Sequence, residues 1–169
     1  MKYLLLSLFL LTPALQAACP SQATAQQEML TLVNQFRIQG GVCGSTKYAP
    51  SMPITLNSYL IKSASGHSNS MATYNYFSHT GRDGTSSTDR IKATGYLTGA
   101  RSWATGENIG AGTQRNNAKM QFDAWKASSG HCANMLTAKF THLGIACAYN
   151  AKSQYTHYWT MNLGKGGKQ

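Results

Sequence analysis

Acid is what this sequence has least of. Five carboxylates, Glu28, Asp83, Asp89, Glu107 and Asp123, stand against 15 Lys and Arg in 169 residues, for a formal charge of +10. Such a balance favours contact with anionic surfaces such as envelope polymers, lipid headgroups or nucleic acid. The basic residues form no block or stripe and no nucleic-acid motif occurs, so the charge by itself names no nucleic-acid partner. Local catalytic words are also lacking. No CxxC pair occurs, which argues against a structural zinc built from cysteines. Neither HExxH nor GxSxG is present, nor the context of a reactive cysteine. The longest apolar run, Tyr3–Leu11, is too short to span a bilayer as a permanent helix.

That run follows Met1-Lys2 and leads to Ala17-Ala18, the pattern of a secretory signal peptide. The expected organisation is a signal over residues 1–17 and one domain over 18–169, with no transmembrane segment in the mature chain and a secreted, periplasmic or extracellular destination. Removal of Lys2 leaves a charge of +9. Cys19 beside the cut raises lipoprotein anchoring as an alternative, but Gln16 stands where a lipobox wants leucine. Export agrees with four cysteines, Cys19, Cys43, Cys132 and Cys147, an even number that predicts two disulfides. Three connectivities are open. Proximity in the chain favours Cys19–Cys43 and Cys132–Cys147, each worth about 3 kcal/mol by loop closure.

Periodicity predicts helices over 23–37, 56–74 and 116–127, a short one around Asp89, another opened by His131, and strands over 140–149 and 155–163. Residues 42–53 read as loop and 164–169 as a polar tail. Gly144 suggests a bulge, and Gly106 and Gly110 flanking Glu107-Asn108-Ile109 suggest backbone passing close to a neighbour. His67 lies on the apolar face of the second helix with Leu60, Ala64 and Met71, and so reads as a buried histidine satisfied by a backbone carbonyl or a neighbouring side chain. Helices followed by two late strands, with no repeat or linker, indicate a single α+β domain.

Short words in a fixed order carry a resemblance. They are Ala64-x-x-His67-Ser68-x-x-Met71-Ala72, Tyr76-Phe77-Ser78-His79-Thr80-Gly81, Asp83-Gly84, Asp89-Arg90-Ile91, Gly95-Tyr96, Gly106-Glu107-Asn108-Ile109, Trp125-x-x-Ser128-x-Gly130-His131 and Leu143-Gly144. Over roughly residues 28–164 the chain resembles the CAP superfamily (cysteine-rich secretory proteins, antigen 5, pathogenesis-related 1), or SCP domain, in its small bacterial branch. The resemblance implies a three-layer α–β–α sandwich with a central antiparallel sheet. It also implies a cleft holding His79, Glu107, His131 and, by position, Ser128. The family's second carboxylate is missing here, because Trp125 is followed by Lys126, Ala127 and Ser128. That departure weakens any mechanism needing two carboxylates.

Two imidazoles facing one cleft suit a divalent metal, zinc above all. His79 and His131 are the expected ligands, with Glu107 as third ligand, orienter or base. The expected function is a binding module for a small lipid or envelope ligand. The alternative is metal-assisted or His–Glu acid–base hydrolysis of an extracellular substrate, with His79, Glu107 and His131 as the candidate catalytic residues.

Overall fold

A computed structural model describes residues 18–169. The expected signal peptide, 1–17, lies outside these described residues.

Helix α1, Gln22–Gln39, is capped by Ser21, whose hydroxyl accepts from Thr24 N. It buries Ala25, Met29, Val33 and Phe36 along one stripe and stops at Gly40, whose φ of 67° favours glycine. Within the segment expected to be loop, β1 (Gly41–Cys43) and β2 (Thr46–Tyr48) form a tight hairpin through Gly44. The two-residue β3, Thr55–Leu56, precedes α2, Ser58–Tyr74. Asn57 caps α2 by accepting from Tyr59 N and Leu60 N, and Asn75 ends it in the left-handed conformation. A capping box between Ser86 and Asp89 starts α3, Ser87–Ala93. Strand β4 is Ala104–Gly112, α4 is Ala118–Ala127 and α5 is Ser129–Leu136. Strands β5, His142–Tyr149, and β6, His157–Lys165, close the fold.

The main sheet runs β3-β5-β6-β4. It is antiparallel except at β3, which pairs parallel with β5. Strand alternation sorts the side chains to two faces. Leu143, Ile145, Trp159, Met161 and Leu163 pack with α1, α4 and α5 in the largest core. Ile109, Ala148 and Tyr158 face α2, where Met71 and Ala72 cover them. The layers are therefore helices, sheet, helix, as the resemblance implies.

Beyond the hairpin, three local expectations change. β5 and β6 pair in unbroken register from His142↔Gly164 to Tyr149↔His157, so Gly144 is no bulge. Instead α2 lies directly on it: a methyl there would overlap the Leu60–Ile61 backbone. Residues 164–169 are not a free tail. β6 continues to Lys165, Lys168 N donates to Tyr96 O at 2.8 Å, and Asn57 Nδ2 donates to Lys168 O at 2.7 Å.

The third change is the disulfide pairing, which is Cys19–Cys147 and Cys43–Cys132. Proximity in the chain is overridden by the layering. Cys43 lies on the β1–β2 hairpin, which packs on α5 where Cys132 sits, while Cys147 on β5 meets the lead-in to α1. Each bridge ties an early segment to a late one.

Candidate functional site

β4 is an edge strand, and its Glu107-Asn108 step organises the site. Successive side chains point to opposite faces of a strand. Glu107 reaches the α2–α3 side and Asn108 the α5 side.

Glu107 is the better buried of the two ends of each ion pair it makes: its side chain is 2% exposed. Oε1 accepts from His79 Nδ1 at 2.9 Å and Oε2 from Arg90 Nη2 at 2.8 Å. Asn162 of β6, with its amide oriented to satisfy both ends, adds a donor to Oε2 at 3.2 Å. A buried carboxylate needs such partners, because desolvation of an unpaired charge costs several kcal/mol. Arg90 supplies the charge and also donates to the carbonyls of Thr85 and His79.

His79 is 55% exposed at its side chain. Its Nδ1 donates to Glu107, so Nε2 is the nitrogen left to meet a ligand. The loop bearing it is held from beneath. His67, buried on α2, lies with Nε2 at 2.9 Å from Ser78 O, which requires that Nε2 carry the proton. The helix pattern predicts the burial, and of the two partners it leaves open the backbone carbonyl is the one present. Burial is the main cause that lowers its pKa, helped by the charge of Arg90.

On the other face, Asn108 Nδ2 donates to His131 O at 3.0 Å, in the first turn of α5. Asn134 fastens the same corner, donating to Asn108 Oδ1 at 2.9 Å and Glu107 O at 3.2 Å. His131 is partly buried. Its pKa is lowered by desolvation first, then by the charges of His79 and Arg115. The two histidines come from opposite layers, His79 from the loop after α2 and His131 from α5. Ser128 sits at the joint of α4 and α5, where its side chain makes no capping hydrogen bond.

Four contributors, Arg90, Asn108, Asn134 and Asn162, have no place in the cleft on sequence reasoning alone. Arg90 has a signal: a lone carboxylate destined for burial needs a cation, and Asp89-Arg90-Ile91 is one of the ordered words. Asn108 has the same kind of signal, standing in Gly106-Glu107-Asn108-Ile109, whereas Asn134 and Asn162 have none, since each acts through a strand or helix position that only the sheet register defines.

Chemically, Glu107 has both oxygens engaged. It orients His79 and is poorly placed to act as a free base or a metal ligand. Among the described residues no three His, Cys, Asp or Glu side chains gather as a metal cluster. What remains is two imidazoles, His79 exposed and His131 partly buried, beside a frame fastened by Glu107, Asn108 and Asn134. No helix of the described residues is long and apolar enough to cross a membrane.

Residues 30–163 match the sequence profile described as CAP, the cysteine-rich secretory protein family. An uncharacterized Bacillus subtilis protein, YkwD, is 31% identical over 130 residues, which cover 76% of this chain and 44% of that one. The crystal structure of an extracellular protein containing an SCP domain from Bacillus anthracis superposes with TM-score 0.66 at 25% identity, over 85% of this chain and 41% of the other. An outer surface protein of Borrelia burgdorferi shares the fold with TM-score 0.65 at 13% identity, over 89% and 98% of the two chains. The chain therefore spans less than half the length of both Bacillus proteins.

Proposed function

The chain belongs to the CAP, or cysteine-rich secretory protein, family, and from that premise we propose that it is a secreted binding module for a small lipid or a related envelope ligand. One observation carries the reading. A groove of ≈ 670 Å³ runs between α1 and α4, with Leu32 and Met120 in its wall and Gln27, Gln35 and Lys119 along it. Its volume falls among those of small-molecule sites, about 300–1,000 Å³. Met120 is 42% exposed although it is a large apolar side chain, and a lipid chain would cover it. Two disulfides suit an oxidising compartment, and the positive charge favours an anionic envelope.

The imidazole pair forms the second element. Zinc or another divalent metal would be held by His79 and His131, with Glu107 fixing the ring of His79 from behind, as carboxylates commonly do for metal-bound histidine. Such a metal supplies a Lewis acid that polarises a ligand oxygen. The donors fit a two-histidine site open to outside ligands and do not fit a closed structural one. Hydrolysis by free His–Glu acid–base work gains no support, since Arg90 and His79 occupy the carboxylate.

Mass spectrometry of organic extracts from natively purified protein tests the lipid reading. A co-purifying lipid, lost on Met120→Glu, is expected; a clean extract together with no retention on envelope material overturns it. Zinc stoichiometry in the protein and in the His79→Ala/His131→Ala double variant tests the metal, and zinc retained by the double variant overturns that part.

A further inference from the structure

The loop between β2 and β3, residues 49–54, carries apolar side chains into solvent and is held there. Pro50 and Pro53 preset its backbone. Ser51 N donates to Arg37 O at 2.8 Å, and the backbone of Ile54, itself buried, exchanges hydrogen bonds with the Asn34 amide at 2.8 and 3.0 Å. Between these anchors Met52 is 79% exposed, and Ile38 at the end of α1 is 57% exposed. With Pro50, Pro53 and Ala138 they line one groove of ≈ 510 Å³. The polar side chain in that lining is Ser51, whose hydroxyl is buried away from solvent. Such a surface offers area and little orientation, which suits docking better than recognition of a small molecule.

The charge beneath and beside this face has one sign. Arg37 lies under it, fully buried, donating to the carbonyls of Met52 and Thr137 as well as those of Met135 and Phe140. Carbonyls satisfy its N–H groups but leave its net charge in place, and a buried cation is ordinarily matched by a carboxylate. Among the described residues the ion pairs are His79–Glu107, Arg90–Glu107 and Lys119–Asp123, so Arg37 has no such match. Lys139, next to Ala138, and Lys47, three residues before Pro50, are exposed and also without a carboxylate. Asp123 reaches the end of α1, lining a neighbouring groove with Gln39, but Lys119 pairs with it and Lys126 lines the same groove. The basic residues form no block along the chain; the fold brings these to one apolar face.

A second copy of this chain, paired face to face, would set like charges against each other. A soluble polyanion would answer the charge but leave Met52 and Ile38 in water. An anionic bilayer answers both, because its acyl boundary takes apolar side chains and its headgroups take cations. We propose that this face docks the protein on a membrane surface rich in anionic phospholipid, with Met52 and Ile38 entering the headgroup boundary and Lys47 and Lys139 resting on phosphates. The face shares no lining residue with the α1–α4 groove, so the proposal does not depend on a lipid being held there.

The experiment is cosedimentation with vesicles of phosphatidylcholine alone and of phosphatidylcholine mixed equally with phosphatidylglycerol. Binding to the mixed vesicles that weakens as salt rises, and little binding to the neutral ones, is expected. Met52→Glu, at an exposed position, should weaken binding about tenfold by removing the inserted side chain and adding a like charge. Lys139→Ala should weaken it about fivefold, the worth of one lysine near an anionic surface. Gln154→Glu, an exposed position in the β5–β6 turn with the same change of charge as Met52→Glu, should stay within about twofold of the parent protein. Failure to bind mixed vesicles overturns the proposal, as does Met52→Glu binding like the parent. A loss in Gln154→Glu equal to that in Met52→Glu overturns it too, since net charge alone would then be at work. So does tighter binding to soluble polyphosphate than to the vesicles, or a dimer in light scattering that Met52→Glu dissolves.

Discussion

Replacing Glu107 by glutamine tests whether one carboxylate holds the cleft together. The exchange keeps shape and opens no cavity, so its cost is electrostatic. Three donors converge on the two oxygens: His79 Nδ1 at 2.9 Å, Arg90 Nη2 at 2.8 Å and the Asn162 amide at 3.2 Å. An amide accepts at one end only, so at least one donor must then face an N–H. Removing one partner of a buried ion pair costs about 3–5 kcal/mol. Here the figure is reduced, because Arg90 keeps the carbonyls of Thr85 and His79 and the His79 contact is open to solvent and screened. Loss of one charged hydrogen bond, about 2–3 kcal/mol, is the expected effect. Urea unfolding with an unchanged m-value measures it. Arg90→Met should cost a similar amount, and the double variant should cost less than the two together by about 1–2 kcal/mol. A loss below about 0.5 kcal/mol, within the range of ordinary surface substitutions, or strict additivity in the cycle, would refute the reasoning.

The disulfides give a covalent test. Peptide mapping without reduction should yield 19–147 and 43–132 cross-links, and a 19–43 peptide would contradict the fold; Cys43→Ser/Cys132→Ser, opening a separation of 89 residues, should cost about 4–5 kcal/mol in urea unfolding by loop-closure entropy. Arg37 is fully buried and donates to the carbonyls of Met52, Met135, Thr137 and Phe140. Arg37→Met should lose about 3–5 kcal/mol in the same assay, because several buried carbonyls are orphaned at once, and near-neutral behaviour would show that they find other donors. Acid should destabilise the protein early. His67, His131 and His142 all have pKa values lowered, chiefly by burial, from 6.5. Their unfolded forms take protons first, so stability is constant above about pH 6.5 and falls below it until each folded histidine titrates. The urea midpoint followed from pH 8 to pH 5 checks the sign; a rise on acidification would refute it.

Much of this protein is legible in one dimension. Apolar spacing marks α1, α2 and α4, and dense β-branched and aromatic residues mark β6. These are local properties, set within a few residues of chain. The ordered words carry His79, Glu107 and His131 because their context is also local. β4 is harder to read, since Gly-Glu-Asn-Ile-Gly has little strand propensity and is held by pairing with β6. Only the tertiary structure decides that Glu107 and Asn108 face opposite layers, that Arg90 rather than a second carboxylate completes the cleft, and that Cys43 finds Cys132 instead of Cys19. Each of those facts depends on sheet register and layer order, long-range pairings in which nearness along the chain predicts nothing about nearness in space.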